Sequence, residues 1–216
     1  MEEITNPVNQ EECLIDLTTP TPSSAMLLDL ARMGAPTEQR TLRLFGEIGP
    51  EAAYATWAAL SQFQLESSNE EVIVYISSGG GSVTDAFSIW DALTSATCPI
   101  TIIGVGEIMS AAAFIMYAGT PGKRFLAPNS IVMTHQMSYG DAGRMSAMRN
   151  RLHATEKMQE RFITLMLDRC SLKGSKQSKL KKLQKYWLCE HDTYLFPQEA
   201  IEAIGIADHI GFPHTI

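Results

Sequence analysis

Cysteine is scarce in this chain of 216 residues: Cys13, Cys98, Cys170 and Cys189 stand far apart and never in CxxC spacing. Scattered thiols of that kind argue against a disulfide frame or a zinc site and suit a reducing compartment. The "CEH" at residues 189–191 offers two candidate metal ligands, too few for a site. Positive charge is also short, with 17 Lys and Arg against 24 Asp and Glu and a formal net charge of -7. That balance argues against nucleic acid as a partner. No apolar run approaches the length of a membrane span. The opening "MEEITNPVNQEECLIDL" is acidic and lacks the apolar core of a signal peptide, so the expected location is the cytoplasm. Nucleotide signatures are missing too. There is no GxxxxGK[ST], no GxGxxG with its acidic partner, and "GTPGKRF" at residues 119–125 has the wrong spacing. Internal repeats and low-complexity tracts are absent.

What is present fits one domain with a full core, since 45% of the residues are hydrophobic. Residues 1–40 read as an irregular arm, interrupted by Pro7, Pro20, Pro22 and Pro36, with one short helix around residues 25–33. Order begins at "RTLRLFGEI" (residues 40–48), read as a strand closed by Gly46, and a helix opens at Pro50. The run Val72 to Ile76 is apolar and β-branched, which predicts a strand buried on both faces. A glycine-rich turn, a helix over residues 84–96 and a second apolar strand from Ile100 complete a β–α–β unit. Such a unit implies an α/β fold with a parallel sheet covered by helices. Met145, Met148, Leu152, Thr155, Met158, Phe162 and Leu165 recur at helical spacing over residues 144–168. A helix that long, about 40 Å, exceeds what the sheet needs and is expected to project and pack against another copy. The lysines at 173, 176, 179, 181, 182 and 185 read as a solvated helix face rather than a basic docking patch. "FPQEAIEAIGIADHI" reads as a short helix and a closing strand.

Chemistry concentrates in a few places. Ser110 heads the apolar run "SAAAFIMYAG" behind Gly104 and Gly106. It fits two readings: an N-cap whose oxygen accepts a helix N–H, or a nucleophile where developing negative charge is favoured. A serine nucleophile needs a base, and of five histidines only His135 ends an apolar strand, where α/β active sites collect. A structural imidazole is the other reading of His135. The "SSGGGSV" turn at residues 77–83 fits either a tight strand-to-helix connection or an oxyanion hole, because glycine lets a backbone N–H approach a carbonyl.

Three motifs occur in order: "YISSGGGSVTDAFSIWDAL", "GEIMSAAAFIMYAGTPGKRFLAPNSIVMTHQ" and "DTYLFPQEAIEAIGIAD". Together they resemble the proteolytic subunit of the Clp protease, the ClpP family, over residues 41–210. The resemblance implies a ClpP/crotonase-like fold for residues 41–216, a parallel sheet with flanking helices and a long projecting handle helix. It implies a serine endopeptidase in which Ser110 is the nucleophile, His135 the general base and Asp192 the carboxylate orienting the imidazole. The oxyanion donors would be the backbone N–H groups of Gly81 and Ala111; losing one such donor costs about 100- to 1,000-fold in rate. It implies a homo-oligomer of two stacked seven-membered rings enclosing the sites and cleaving unfolded polypeptides. ATP would be used by a partner Clp-type AAA+ ATPase, with no cofactor, metal or nucleotide on this chain. The docking pocket for that partner would use Tyr75, Ile103, Phe125 and Ile210, with Ser95 in place of an aromatic. By itself each of these residues reads equally well as core or interface packing.

Departures from the family pattern are local. Gly79 replaces a usual proline, which predicts a looser loop; Met109 and Ala111 flank the serine; Met137 replaces a proline; and His191 replaces an arginine that helps join the rings. The family's pore-lining segment is not recognisable in residues 1–40. Other readings are a viral capsid-maturation protease on the same fold, an acyl-CoA enzyme of the crotonase type, and an inactive structural ring subunit. The crotonase type has no need of a Ser–His–Asp set, and inactive subunits lack triad members that are all present here.

Overall fold

The β-branched runs form the strands of a seven-stranded sheet in a computed structural model that describes residues 40–213 other than Tyr139 and Asp141. Except for Arg40, the expected irregular arm of residues 1–40 lies outside the described residues. Five strands follow one path: β1 (Thr41–Phe45), β2 (Val72–Ser78), β3 (Ile100–Met109), β4 (Arg124–Leu126) and β7 (His209–Ile210), every neighbour parallel. Two more, β5 (Ile131–Thr134) and β6 (Thr193–Leu195), branch from β3; β5 is parallel to it and β6 antiparallel to β5. The helices are α1 (Pro50–Glu66), α2 (Val83–Ser95), α3 (Ala111–Met116), α4 (Met145–Arg169), α5 (Lys176–Trp187) and α6 (Pro197–Ile204). Among the described residues, no helix is long and apolar enough to cross a membrane.

β3 is the strand that builds the site. Its first half pairs with β4 at Ile102, Ile103 and Gly104, and its last three residues pair with β5 instead. Between the halves the register with β2 slips, from Ile76↔Gly104 to Ser78↔Ile108, so β3 carries extra residues around Gly106. Gly106 has φ +61, a conformation glycine adopts at little cost. A bulge of this kind bends a strand and re-aims the residues after it. Here it turns Met109 and Ser110 onto β5.

β2 departs from expectation in one respect. Val72, Val74, Ile76 and Ser78 are fully buried, but Ile73, Tyr75 and Ser77 are only half-buried, so one face of the strand is open in the single chain. The apolar helix α3 is buried at all six residues. Its Phe114 stacks on Phe162 of α4 at 3.8 Å between ring centroids and on Trp90 of α2 at 4.5 Å. Trp187 of α5 meets Phe162 edge-on. Four helices thus share one aromatic cluster, a packing in which offset-stacked and edge-to-face pairs are favoured.

α4 runs 25 residues, about 37 Å at the α-helical rise. Only Phe162, Ile163, Met166 and Leu167 are buried, all in its last third, while Met145 and Leu152 are exposed. The apolar stripe therefore has two fates: its end belongs to the chain's own core, and its beginning projects. α5 is the lysine-rich helix, with Leu183 and Trp187 inward and Lys176, Lys181, Lys182 and Lys185 outward.

A buried ion pair fastens the base of α4. Arg124 on β4 donates from Nη2 to Asp208 Oδ1 (2.6 Å) and from Nε to Oδ2 (2.8 Å), and from Nη1 to the carbonyl of Arg169. Arg169 in turn donates to the Tyr117 carbonyl, and the Tyr117 hydroxyl to that of Ile204. Burial pushes the Asp208 carboxyl up, but the bonds and charge of Arg124, with the Gly122 N–H, outweigh it and hold the group below its ordinary value. Burial pushes the Tyr117 hydroxyl far up, keeping it a neutral donor.

Candidate active site

Ser110 does not cap α3. Its side chain makes no capping hydrogen bond, and its backbone sits at φ 51, ψ −120, the one non-glycine residue with positive φ among those described. The backbone is held there from both sides: its N–H donates to Met133 O on β5 (2.9 Å), and its carbonyl accepts from Phe114 N (3.2 Å). The hydroxyl is thereby freed from the helix end. It lies 2.8 Å from His135 Nε2. With the ring proton on Nδ1, that distance suits a hydroxyl donating to the imidazole.

Sheet register explains how His135 meets Asp192. β5 and β6 are antiparallel with Thr134 opposite Thr193, so one step beyond the ladder His135 faces Asp192. Asp192 Oδ1 is 4.0 Å from His135 Nδ1, and the carboxylate side chain is 54% exposed. The two are close enough to attract but too far apart for a direct hydrogen bond. Asp192 precedes strand β6, a three-residue element where the sequence pattern suggests only a turn before α6.

The glycine loop closes over the serine. A Cβ on Gly80 would fall 2.8 Å from Ser110 Cβ and 2.9 Å from Met109 O, and its φ is +100. Only glycine lets these backbones approach so closely. Gly80 N donates to Ser78 Oγ (3.0 Å), Gly80 O accepts from Ile48 N (2.8 Å), and Ser82 N donates to Ile48 O (2.7 Å). The N–H of Gly81, between them, donates to nothing among the described residues, and neither does the N–H of Ala111. The loop expected to be loose at Gly79 is instead pinned on both sides of Gly81.

The four apolar docking positions do not share one row. Tyr75, Ile103 and Phe125 are in register on β2, β3 and β4, and the next residue in that row is His209, whose ring lies 4.9 Å from that of Phe125. Ile210 pairs with Leu126 and so belongs to the adjacent row, whose side chains point to the other face. Ile103 is fully buried, Tyr75 and Phe125 are half-buried, and Ile210 is exposed. In sequence His209 is only a tail residue; strand register is the signal that brings it beside Phe125.

Among the described residues, no three His, Cys, Asp or Glu side chains gather to hold a metal ion. The Cys189 thiol is occupied with the carbonyls of Tyr186 and His191. A surface cleft lined by Lys182, Lys185, Tyr186 and Glu199 lies between α5 and α6 and includes none of the residues around Ser110.

A family model described as Clp protease matches residues 30–214, the whole of the sheet, the helices and the serine site.

Proposed function

The chain belongs to the Clp protease family and is a peptidase of that type, and from that premise we propose that it is a serine endopeptidase working through Ser110, His135 and Asp192. The observation that carries this reading is the hydroxyl of Ser110, uncapped on a positive-φ backbone and 2.8 Å from His135 Nε2. Strained backbone at a hydroxyl facing an imidazole serves no packing purpose, and strain of that kind gathers at functional sites.

The chemistry is that of acyl transfer. Ser110 Oγ attacks the scissile carbonyl carbon while His135 Nε2 takes the hydroxyl proton. The carbonyl oxygen becomes an oxyanion, and the free N–H groups of Gly81 and Ala111 are the donors for it. His135 then passes the proton to the departing amine, leaving an acyl-enzyme on Ser110. Water, deprotonated by the same imidazole, releases the carboxylate product and restores the serine. Asp192 orients the ring and stabilises the imidazolium; a turn of its exposed side chain would bring it from 4.0 Å to hydrogen-bonding distance of Nδ1.

The substrate class is unfolded polypeptide, cleaved inside a chamber of two stacked seven-membered rings joined through the projecting part of α4. Exposed Met145 and Leu152 on that part support such a contact. A Clp-type AAA+ ATPase, docked on the half-open sheet face of Tyr75 and Phe125, would unfold and feed the substrate.

Ser110→Ala should abolish hydrolysis of a short fluorogenic peptide and labelling by a fluorophosphonate, with fold and particle size unchanged. Activity within about tenfold of the parent would overturn the nucleophile assignment. In the same assay a folded protein should be degraded only when a Clp-type ATPase and ATP are supplied; degradation by this chain alone would overturn the partner.

A further inference from the structure

One helix packs against the segments that follow both Ser110 and His135. Phe162 of α4 stacks on Phe114, in the helix that Ser110 heads. Gln159, three residues earlier and so on the same helical face, accepts a hydrogen bond from the backbone N–H of Met137 at 3.1 Å. Met137 is two residues beyond His135, where the chain has left β5 and its ladder no longer supplies partners. The amide orientation is fixed by the chemistry, because only the carbonyl oxygen of Gln159 can accept from an N–H. On the other side, Gln136 N donates to Cys189 O at 3.4 Å, a long bond near the limit of useful geometry. Of these two bonds among the described residues, the shorter is to a side chain of α4.

We propose that Gln159 is a positioning residue: its bond to Met137 N sets the imidazole of His135 against Ser110 and passes the tilt of α4 to the catalytic pair. The inference rests on the serine-peptidase reading for its kinetic consequence, but not for the bond itself. α4 is rooted by Phe162, Ile163, Met166 and Leu167 and projects beyond them, so it acts as a lever. A partner copy gripping the projecting turns moves Gln159, and with it the backbone two residues from the base. Peptide-bond cleavage tolerates little displacement of base from nucleophile, a misplacement of about 1 Å being able to cost on the order of 100-fold.

The test is a pair of variants measured in the assembled particle. Gln159→Leu removes the acceptor at similar volume, and Gln159→Glu keeps an oxygen at the same reach. For Gln159→Leu, kcat for a fluorogenic peptide should fall about 10- to 100-fold with KM within about twofold. Labelling of Ser110 by a fluorophosphonate should slow in parallel, and sedimentation should show an unchanged particle. Gln159→Glu should restore kcat to within about threefold of the parent. Independently of activity, exchange of the Met137 amide should quicken at least about tenfold in Gln159→Leu and stay protected in Gln159→Glu. Unchanged Met137 exchange, or kcat within about twofold in Gln159→Leu, overturns the proposal. If the parent neither cleaves peptide nor takes the label, the peptidase reading fails by itself, and the amide exchange still decides whether Gln159 holds the segment.

Discussion

Replacing Ser110 by glycine should leave the chain more stable than replacing it by alanine, although both remove the hydroxyl. At φ 51, ψ −120 the Cβ of an L-residue is strained, and glycine has none. Backbone held in such a region costs about 1–3 kcal/mol. Glycine loses part of that advantage through the unfolded chain, where it costs about 0.4–1 kcal/mol relative to alanine. Packing changes little, because the space against Ser110 Cβ is occupied by Gly80, which brings no side chain of its own. At the centres of those ranges the balance favours Ser110→Gly over Ser110→Ala by roughly 1.3 kcal/mol. For a chain of this size that is a midpoint about 3–5 °C higher in thermal unfolding. The two variants should be compared at one protein concentration, since any assembly makes the midpoint concentration-dependent. Neither should cleave peptide. If Ser110→Gly melts at or below Ser110→Ala, the backbone at residue 110 is not strained, and the argument from strain to nucleophile falls.

The ion pair and the lever give two further expected outcomes. Asp208→Asn leaves the Arg124 guanidinium buried without its counter-charge and should destabilise the chain by about 3–5 kcal/mol near neutral pH. Because the folded-state carboxyl of Asp208 lies below its ordinary value of 3.8, its contribution is complete above that value and is lost as pH falls through the folded one. The gap between parent and variant in urea unfolding should therefore narrow in acid, and a gap that stays constant down to about pH 3 would rule out this carboxylate as its source. Replacing Met145 and Leu152 together by glutamate should yield smaller particles by sedimentation with little loss of chain stability, since both are exposed in the single chain. Unchanged particle size would refute α4 as the assembly element. Phe162 is unsuitable for that test, because it is 4% exposed and stacks within the chain's own core.

Hydrophobic pattern makes the βαβ unit and α4 readable, through continuous β-branched runs for the strands and a period of about 3.6 for the helix. It cannot say whose core the α4 stripe serves. Phe162 and Leu152 obey the same spacing, yet one packs on Phe114 and the other faces outward, since hydrophobic pattern records burial and not the identity of the partner. The short strand β6 is beyond its reach for a different reason. It has three residues, too few to show a period, and is fixed by hydrogen bonds that any residue's backbone can make, whereas the closing strand expected after the helix of "FPQEAIEAIGIADHI" is present as the two residues of β7. The fork in β3 is equally silent in sequence, apart from the glycine at 106.

The serine is visible in the sequence and its conformation is not. Serine before an apolar helix is a common cap, and composition favours that reading; what defeats it is a pair of backbone bonds, to Met133 and from Phe114, that hold residue 110 at positive φ. The same holds for the glycine loop. Gly79 in place of proline suggests looseness, because glycine has more freedom to lose. Yet a Cβ at residue 79 would meet nothing closer than 3.9 Å, so that position bears none of the close approach. Ordering comes from its neighbours: Ser78 Oγ takes the Gly80 N–H, and Ile48 exchanges bonds with Gly80 and Ser82. With Gly80 and Ser82 committed, the N–H of Gly81 between them donates to nothing among the described residues, in the loop that packs on Ser110 and Ala111. A loop stiffened by proline would reach the same end by restricting φ at one residue. Here backbone hydrogen bonds to Ile48 do it, so the loop's rigidity depends on the segment between β1 and α1 as much as on its own sequence.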